Sequence, residues 1–162
     1  MAMDADIFQQ LLDTVERFVN ERLIPLEQQV SDTDTVPESL KAEMAELGLF
    51  GISVPEEYGG IGLTMEEEVR LGRILGRAAP AFRSVFGTNV GIGSQGIVID
   101  GTEEQKQKYL PKIASGETVT SFALTEPEAG SDAAGLKTLA IRDGDEYVLN
   151  GTKRFITNAP YA

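Results

Sequence analysis

The amino-acid sequence predicts an α+β fold: an N-terminal α-helical domain of about five helices, followed by the first antiparallel strands of a β-barrel-like domain. Three observations predict it. Apolar residues recur at spacings of three and four through about residue 115. Two Thr-x-x-Glu/Gln boxes, Thr64-Met-Glu-Glu67 and Thr102-Glu-Glu-Gln105, open helical patterns. After Gly116 the composition shifts to β-branched and aromatic residues punctuated by turn dipeptides. Helices followed by strands, without βαβ alternation, set the division into residues 1–116 and 117–162.

The first helix carries Ile7, Leu11, Leu12, Val15, Phe18 and Val19 on one face, and Pro25 ends or kinks it. A second helix has Pro37 at its first position, then Leu40, Met44 and Leu47, and stops at Gly48. Gly51 to Leu63 is turn-rich. A third helix starts at the Thr64 box and runs through Val69, Leu71, Ile74 and Leu75 to Pro80. A fourth apolar stretch, Phe82 to Ile99, holds Gly87, Gly91, Gly93 and Gly96. The fifth helix runs from the Thr102 box to about Ser115. Thr118 to Leu124 then has strand composition. Thr138 to Arg142 and Tyr147 to Leu149 read as short strands joined by Asp143-Gly-Asp145. Asn150-Gly151 is a strong hairpin signal, which makes Lys153 to Thr157 a returning strand. A hairpin or two cannot stand alone, so the chain is expected to continue in its natural context.

Composition excludes much chemistry. The 162 residues include no Cys, His or Trp. Ser-His-Asp and Cys-His triads, disulfides and Cys- or His-ligated metals are therefore impossible, and no metal site is expected. The net charge of −12 argues against nucleic acid as a partner. No apolar run approaches the ~18–20 residues of a membrane span. The N-terminus lacks the basic-then-apolar pattern of a signal peptide, so a cytoplasmic protein is expected. The remaining chemistry belongs to carboxylates, hydroxyls, backbone amides or a borrowed cofactor.

Two stretches could hold a cofactor. Phe122-Ala-Leu-Thr-Glu-Pro-Glu-Ala-Gly-Ser-Asp132 leaves an apolar segment for a loop with hydroxyls at Thr125 and Ser131 and close-approach backbone at Gly130. It presents donors to a phosphate or heterocycle, or is an ordinary acidic loop exit. Phe155-Ile-Thr-Asn158 places Phe155 and Thr157 on one side of a strand, as a face for a planar ring or as a core Phe beside a solvated Thr. Glu66-Glu67-Glu68 suits a helix N-terminus, and Glu56-Glu57 reads as solvated loop charge, so no catalytic base emerges. The Gly87–Gly96 stretch is no phosphate loop: it follows no strand and lacks a Lys-Ser/Thr, leaving helix packing or ligand space.

Taken in order, Tyr109-Leu-Pro111, Ser115-Gly-Glu117, Phe122 to Asp132, Asn150-Gly-Thr-Lys153 and Phe155-Ile-Thr-Asn158 resemble the acyl-CoA dehydrogenase family. Val54 to Gly62 and Gly101 to Pro111 extend the resemblance into the helical part. It implies a helical domain and the opening of a middle β domain, with a C-terminal bundle not included. It implies non-covalent FAD and oxidation of the Cα–Cβ bond of an acyl-CoA thioester to the 2-enoyl-CoA in fatty acid metabolism. The carboxylate base is expected in the absent C-terminal part, so no catalytic residue falls here. Carried over by position, Phe122, Leu124, Thr125, Gly130, Ser131, Phe155, Ile156 and Thr157 would face the flavin. Phe155 stands where many members have Trp. Ser131, Thr88 and Ile92 would face the substrate, the last two one helical turn apart. An electron-transfer flavoprotein or similar acceptor, and assembly as a homo-oligomer (dimer or tetramer), are implied. The flavin-holding motifs are shared with acyl-CoA oxidases and flavin-dependent monooxygenases. A non-catalytic helical assembly module is the remaining alternative, and a flavin-dependent role suits a chain lacking His and Cys, because the cofactor carries the redox chemistry.

Overall fold

A computed structural model describes residues 2–162. Its helices are α1 (Ala5–Phe18), α2 (Glu27–Thr33), α3 (Glu38–Glu46), α4 (Met65–Leu75), α5 (Pro80–Val90), α6 (Gln95–Asp100) and α7 (Glu103–Ala114). Two antiparallel strands follow, β1 (Leu139–Asp143) and β2 (Glu146–Asn150). All five expected helical segments are helical, and two of them are subdivided.

Asp4 caps α1, its carboxylate accepting the backbone N–H groups of Asp6 and Ile7. Past Phe18 the helix continues as a π-helical turn, Val19–Leu23, then a 3-10 turn, Ile24–Leu26, before α2. Pro25 supplies no N–H and crowds the preceding turn, so the hydrogen-bond ladder changes width there rather than stopping. Phe8, Leu12, Val15, Phe18, Val19 and Leu23 are buried. Burying each such side chain contributes ~1.5–3 kcal/mol. Ile7, expected on this face, is exposed; Phe8 takes the core position with the Arg70 guanidinium over its ring. In α4 likewise Val69 is exposed while Leu71 and Leu75 are buried.

Both capping boxes form as their spacing predicts. Thr64 N–H donates to Glu67 Oε2 at 2.8 Å, and Glu67 N–H donates to Thr64 Oγ1 at 3.4 Å. Glu67 Oε1 also accepts the N–H of Met3, which fastens the N-terminal segment to α4. Its carboxyl is held below the usual carboxylate range, chiefly by the Thr64 hydrogen bonds. That gives this member of the acidic cluster a structural role. Pro37 is the N-cap of α3 rather than its first residue, and Gly48 ends that helix with φ 72°.

The main core joins α1, α3, α4 and α5, with Phe82 and Phe86 among its largest fully buried side chains. Phe50 meets Phe86 edge to face at 6.2 Å. A second cluster, Val54, Tyr58, Leu110, Ile113 and Ala114, packs the 50s loop against α7. There the Tyr58 hydroxyl donates to Glu103 at 3.0 Å, and burial first, then Glu103, pushes the phenol up to about 12.

The β region differs from expectation in three places. Thr118 to Leu124 is irregular: the Asn89 side chain of α5 bonds Thr118 O and Thr120, and no strand among the described residues pairs with it. The hairpin β1–β2 forms where the strand reading placed it, but Asp143, read there as part of the connection, pairs with Glu146 and leaves Gly144-Asp145 as the turn. Asn150-Gly151 makes no turn: neither residue has positive φ, and Asn150 pairs with Leu139. A Cβ on Gly151 would lie 2.1 Å from Thr138 Oγ1, so this glycine serves close approach rather than turn geometry. Residues 153–157 form no returning strand. Phe155 has φ 59°, which breaks the alternation that put Phe155 and Thr157 on one side.

Candidate functional site

The site residues are delivered by α5 and by three irregular segments after α7. Asn89, fully buried on α5, anchors the first segment. Its Nδ2 donates to Ile113 O at 3.0 Å and Thr118 O at 2.8 Å. Its Oδ1 accepts Thr120 N–H at 2.8 Å and Thr120 Oγ1 at 3.0 Å. One amide thereby uses both donors and its acceptor to fix residues 118–120 across α5 and the end of α7. Gly93 lies against the same threonine: a Cβ there would sit 1.9 Å from Thr120 Oγ1. Of the glycines in the Gly87–Gly96 stretch, Gly93 is thus a packing glycine, while a Cβ on Gly91 or Gly96 would meet open space.

The second segment, Phe122 to Ser131, turns tightly. Glu126 N–H donates to Ala129 O at 2.8 Å and Ala129 N–H returns to Glu126 O at 3.3 Å. The Glu126 side chain is buried and accepts from four donors. Oε1 takes Thr138 N–H at 3.0 Å, Thr138 Oγ1 at 2.5 Å and Lys153 Nζ at 2.9 Å; Oε2 takes Lys137 N–H at 2.8 Å. These bonds, Thr138 foremost, lower the carboxyl to about 2. Lys153 Nζ also donates to Leu124 O at 2.9 Å, and Arg154 N–H donates to Thr125 O at 2.8 Å.

The third segment, residues 153–158, is therefore tied to Leu124, Thr125 and Glu126. It returns to α5 through Asn158, whose Nδ2 donates to Thr88 Oγ1 at 2.8 Å and Ser84 O at 3.0 Å. Asn158 has φ 62°, a conformation in which Asn is enriched among non-glycine residues.

Hydrogen bonds thus join Leu124 and Thr125 to Lys153 and Arg154, the residues that precede Phe155, Ile156 and Thr157, and a Cβ on Gly130 would lie 3.9 Å from Thr125 Cγ2. Phe122 is 46% exposed and Phe155 79% exposed, with the Arg154 guanidinium 4.5 Å from the Phe155 ring centre. Ser131 is exposed. Exposed aromatic rings and the hydroxyls of Thr125, Ser131 and Thr157, on segments linked by the Glu126–Lys153 pair, are the side-chain types that suit a planar heteroaromatic ligand. Thr88 and Ile92 do not share a helix face: α5 ends at Val90, and Gly91 departs with φ −127° and ψ −94°. Thr88 is buried with its oxygen accepting from Asn158, while Ile92 is 57% exposed. A groove of about 850 Å³ lies between α2, α3 and α5, lined by Val30, Val36, Phe50, Val85 and Tyr161 and reaching Ser84 and Asn158. It includes none of the residues 122–131.

Sequence reasoning did not single out Asn89, Glu126, Lys153 or Asn158. Glu126, Lys153 and Asn158 do lie inside the motifs that carried the resemblance. Glu56 and Glu57, weighed as a dyad, are exposed.

The sequence profile described as acyl-CoA dehydrogenase, N-terminal domain, matches residues 6–117, and that of the acyl-CoA dehydrogenase middle domain matches residues 121–162. A probable acyl-CoA dehydrogenase of Bacillus subtilis is 42% identical over 154 residues, which are 95% of this chain and 40% of that protein. The structure of an acyl-CoA dehydrogenase complexed with FAD from Bacillus anthracis superposes with a TM-score of 0.86 at 40% identity, covering 98% of this chain and 28% of that one. A chain in a structure of the electron transferring flavoprotein of Acidaminococcus fermentans superposes at 0.89 with 38% identity, covering all of this chain and 42% of that one. No helix among the described residues is long and apolar enough to cross a membrane. The chain thus spans less than half the length of these relatives, and its helical part alone matches the family profile over most of its residues: the chain belongs to the acyl-CoA dehydrogenase family.

Proposed function

We propose that this chain is the N-terminal portion of an FAD-dependent acyl-CoA dehydrogenase that converts an acyl-CoA thioester to the 2-enoyl-CoA. In this reading residues 1–116 are the helical domain and 117–162 open the middle β domain. The observation that supports it is the bonding of Leu124 and Thr125 to Lys153 and Arg154, with Lys153 also paired to Glu126, which links the two stretches that the family resemblance assigns to the flavin. Bound FAD supplies the two-electron acceptor. The chain's own part would be to orient it: Leu124, Thr125, Gly130, Ser131, Phe155, Ile156 and Thr157 would hold the ring. Ser131 also faces the acyl-CoA, and Thr88 supports that site from α5 through Asn158 rather than lining it. An electron-transfer flavoprotein is the proposed electron acceptor, and a homo-oligomer the proposed assembly.

Anaerobic titration of the full-length protein with acyl-CoA thioesters tests the reading. The expected result is bleaching of the yellow flavin absorbance, followed by slow reoxidation in air. Rapid reoxidation with stoichiometric peroxide would assign an acyl-CoA oxidase instead, and a colourless protein that binds no FAD would leave a helical assembly module.

A further inference from the structure

The segments assigned to the flavin under the proposed function converge on two residues, Glu126 and Lys153. The Glu126 side chain is 7% exposed and that of Lys153 is 23% exposed. Lys153 Nζ bridges Glu126 Oε1 and the carbonyl of Leu124, both at 2.9 Å. Its neighbour Arg154 bonds the carbonyl of Thr125. Glu126 in turn bonds the backbone of Lys137 and Thr138 at the entry to β1, and closes the turn that leads to Gly130 and Ser131.

We propose that Glu126 and Lys153 are positioning residues for the cofactor: their part-buried ion pair fixes the separation of the Phe122–Thr125 and Phe155–Thr157 segments, and with it the slot a planar ring enters. This rests on the FAD reading above. A buried ion pair often contributes little net stability over an apolar pair of similar volume, because desolvation offsets the attraction. It does supply direction. An aliphatic pair would fill the same space but leave the Leu124 carbonyl and the Lys137 and Thr138 amides without partners, and only the Arg154 N–H to Thr125 O bond holding the two segments together. Every acceptor on the Glu126 carboxylate is engaged by the protein itself, so its action on a ligand runs through the segments it holds.

The test uses the full-length protein with Lys153→Met, Glu126→Gln, the double variant and Lys153→Arg. FAD affinity is measured by equilibrium titration, and the visible circular dichroism of bound flavin reports how the ring is seated. Each single loss should weaken FAD binding by about tenfold or more, the scale of one lost hydrogen bond to a charged group. Visible dichroism should change in both. The double variant should be no worse than the poorer single, because the two side chains act as one unit. Lys153→Arg should recover part of the affinity, since a guanidinium retains donors for both oxygens. If Glu126→Gln does not fold, Thr138→Val removes one donor while leaving the pair intact, and should weaken binding in the same direction by a smaller factor. A Lys153→Met protein with parental affinity and dichroism but a lower melting temperature would overturn the inference and leave the pair merely structural. A parent that binds no FAD would overturn the proposed function and this inference together; a flavin-binding parent with indifferent variants would overturn this inference alone.

Discussion

At Glu126 the ordinary cost of burying a carboxylate is met by two backbone amides, a hydroxyl and an ammonium group. The folded state therefore favours the ionised form, and the carboxyl lies at about 2 against an ordinary value of 4.5. A lowered folded value gives a stabilisation that is fully present above the unfolded value and is lost as pH falls through the folded one. The parent chain should therefore exceed Glu126→Gln in stability at pH 6, and the gap should close as pH falls from about 4.5 to about 2. Urea midpoints of the two proteins at pH 6, 4.5, 3 and 2 measure it; an equal gap at pH 6 and pH 2 would rule out a charge-dependent contribution. Residues of this kind are poorly legible in sequence. Glu126 finds Thr138 and Lys153 at separations of 12 and 27 residues, and Asn89 finds Thr120 31 residues away. No local spacing rule encodes such pairs. Thr64 and Glu67 lie within one helical turn, so their reciprocal bonds could be read directly.

Elements were legible where a local rule defines them and less so where packing overrides it. The five helical segments follow from periodicity and caps. The break inside the Phe82–Ile99 stretch does not, because apolar residues continue through it. Four glycines mark the region without saying which is required. Gly93 passes against Thr120, which Asn89 holds from the other side, so a methyl group there would displace a fixed side chain and would also lie 2.6 Å from the carbonyl of Thr88. Gly96 sits in α6 with open space where a Cβ would be. Gly93→Ala should therefore destabilise the fold by about 1–3 kcal/mol, the range for overpacking a filled site. Gly96→Ala should be neutral or stabilise by up to about 1 kcal/mol, since alanine is the better helix former. Thermal melts of the two variants decide between packing and open space; similar shifts in both would show that the α5–α6 turn yields to an added methyl group. Asn150-Gly151 shows the opposite error. A favourable turn dipeptide was present, but the preceding hairpin had already set the register, and the chain beyond it bonds residues 124 and 125 instead of β2.

On the scale of the whole chain, apolar burial is concentrated in the helices while the β region is open. All residues of β1 and β2 are exposed. Their pairing puts Leu139, Ile141 and Val148 on one face and Tyr147 and Leu149 on the other. Apolar residues on both faces suit strands covered on both sides, and a lone two-stranded hairpin is marginal in water. The helices have the reverse character: Val15, Leu40, Met44, Leu71 and Leu110 are wholly buried, and Asn89 ties α5 to α7. Local opening free energies should therefore divide the 162-residue chain sharply, since exposed hydrogen bonds with little apolar cover open first. In hydrogen exchange, amides of residues 139–150 should exchange near the rate of unstructured peptide, while those of α1, α4 and α5 remain protected. The segment 118–120 should follow the helices, because Thr120 N–H is held by a buried Asn89 amide rather than by a strand partner. Residues 124–126 and 153–154 should fall between, linked to each other by the Glu126–Lys153 pair and to α5 through Asn158. Protection of the hairpin equal to that of α5 would mean that β1 and β2 draw stability from the helical part, and would count against a division of the chain near residue 116. Early exchange at 118–120 would show that the Asn89 bonds open together with the hairpin, making residues 118–162 one cooperative unit rather than a graded series.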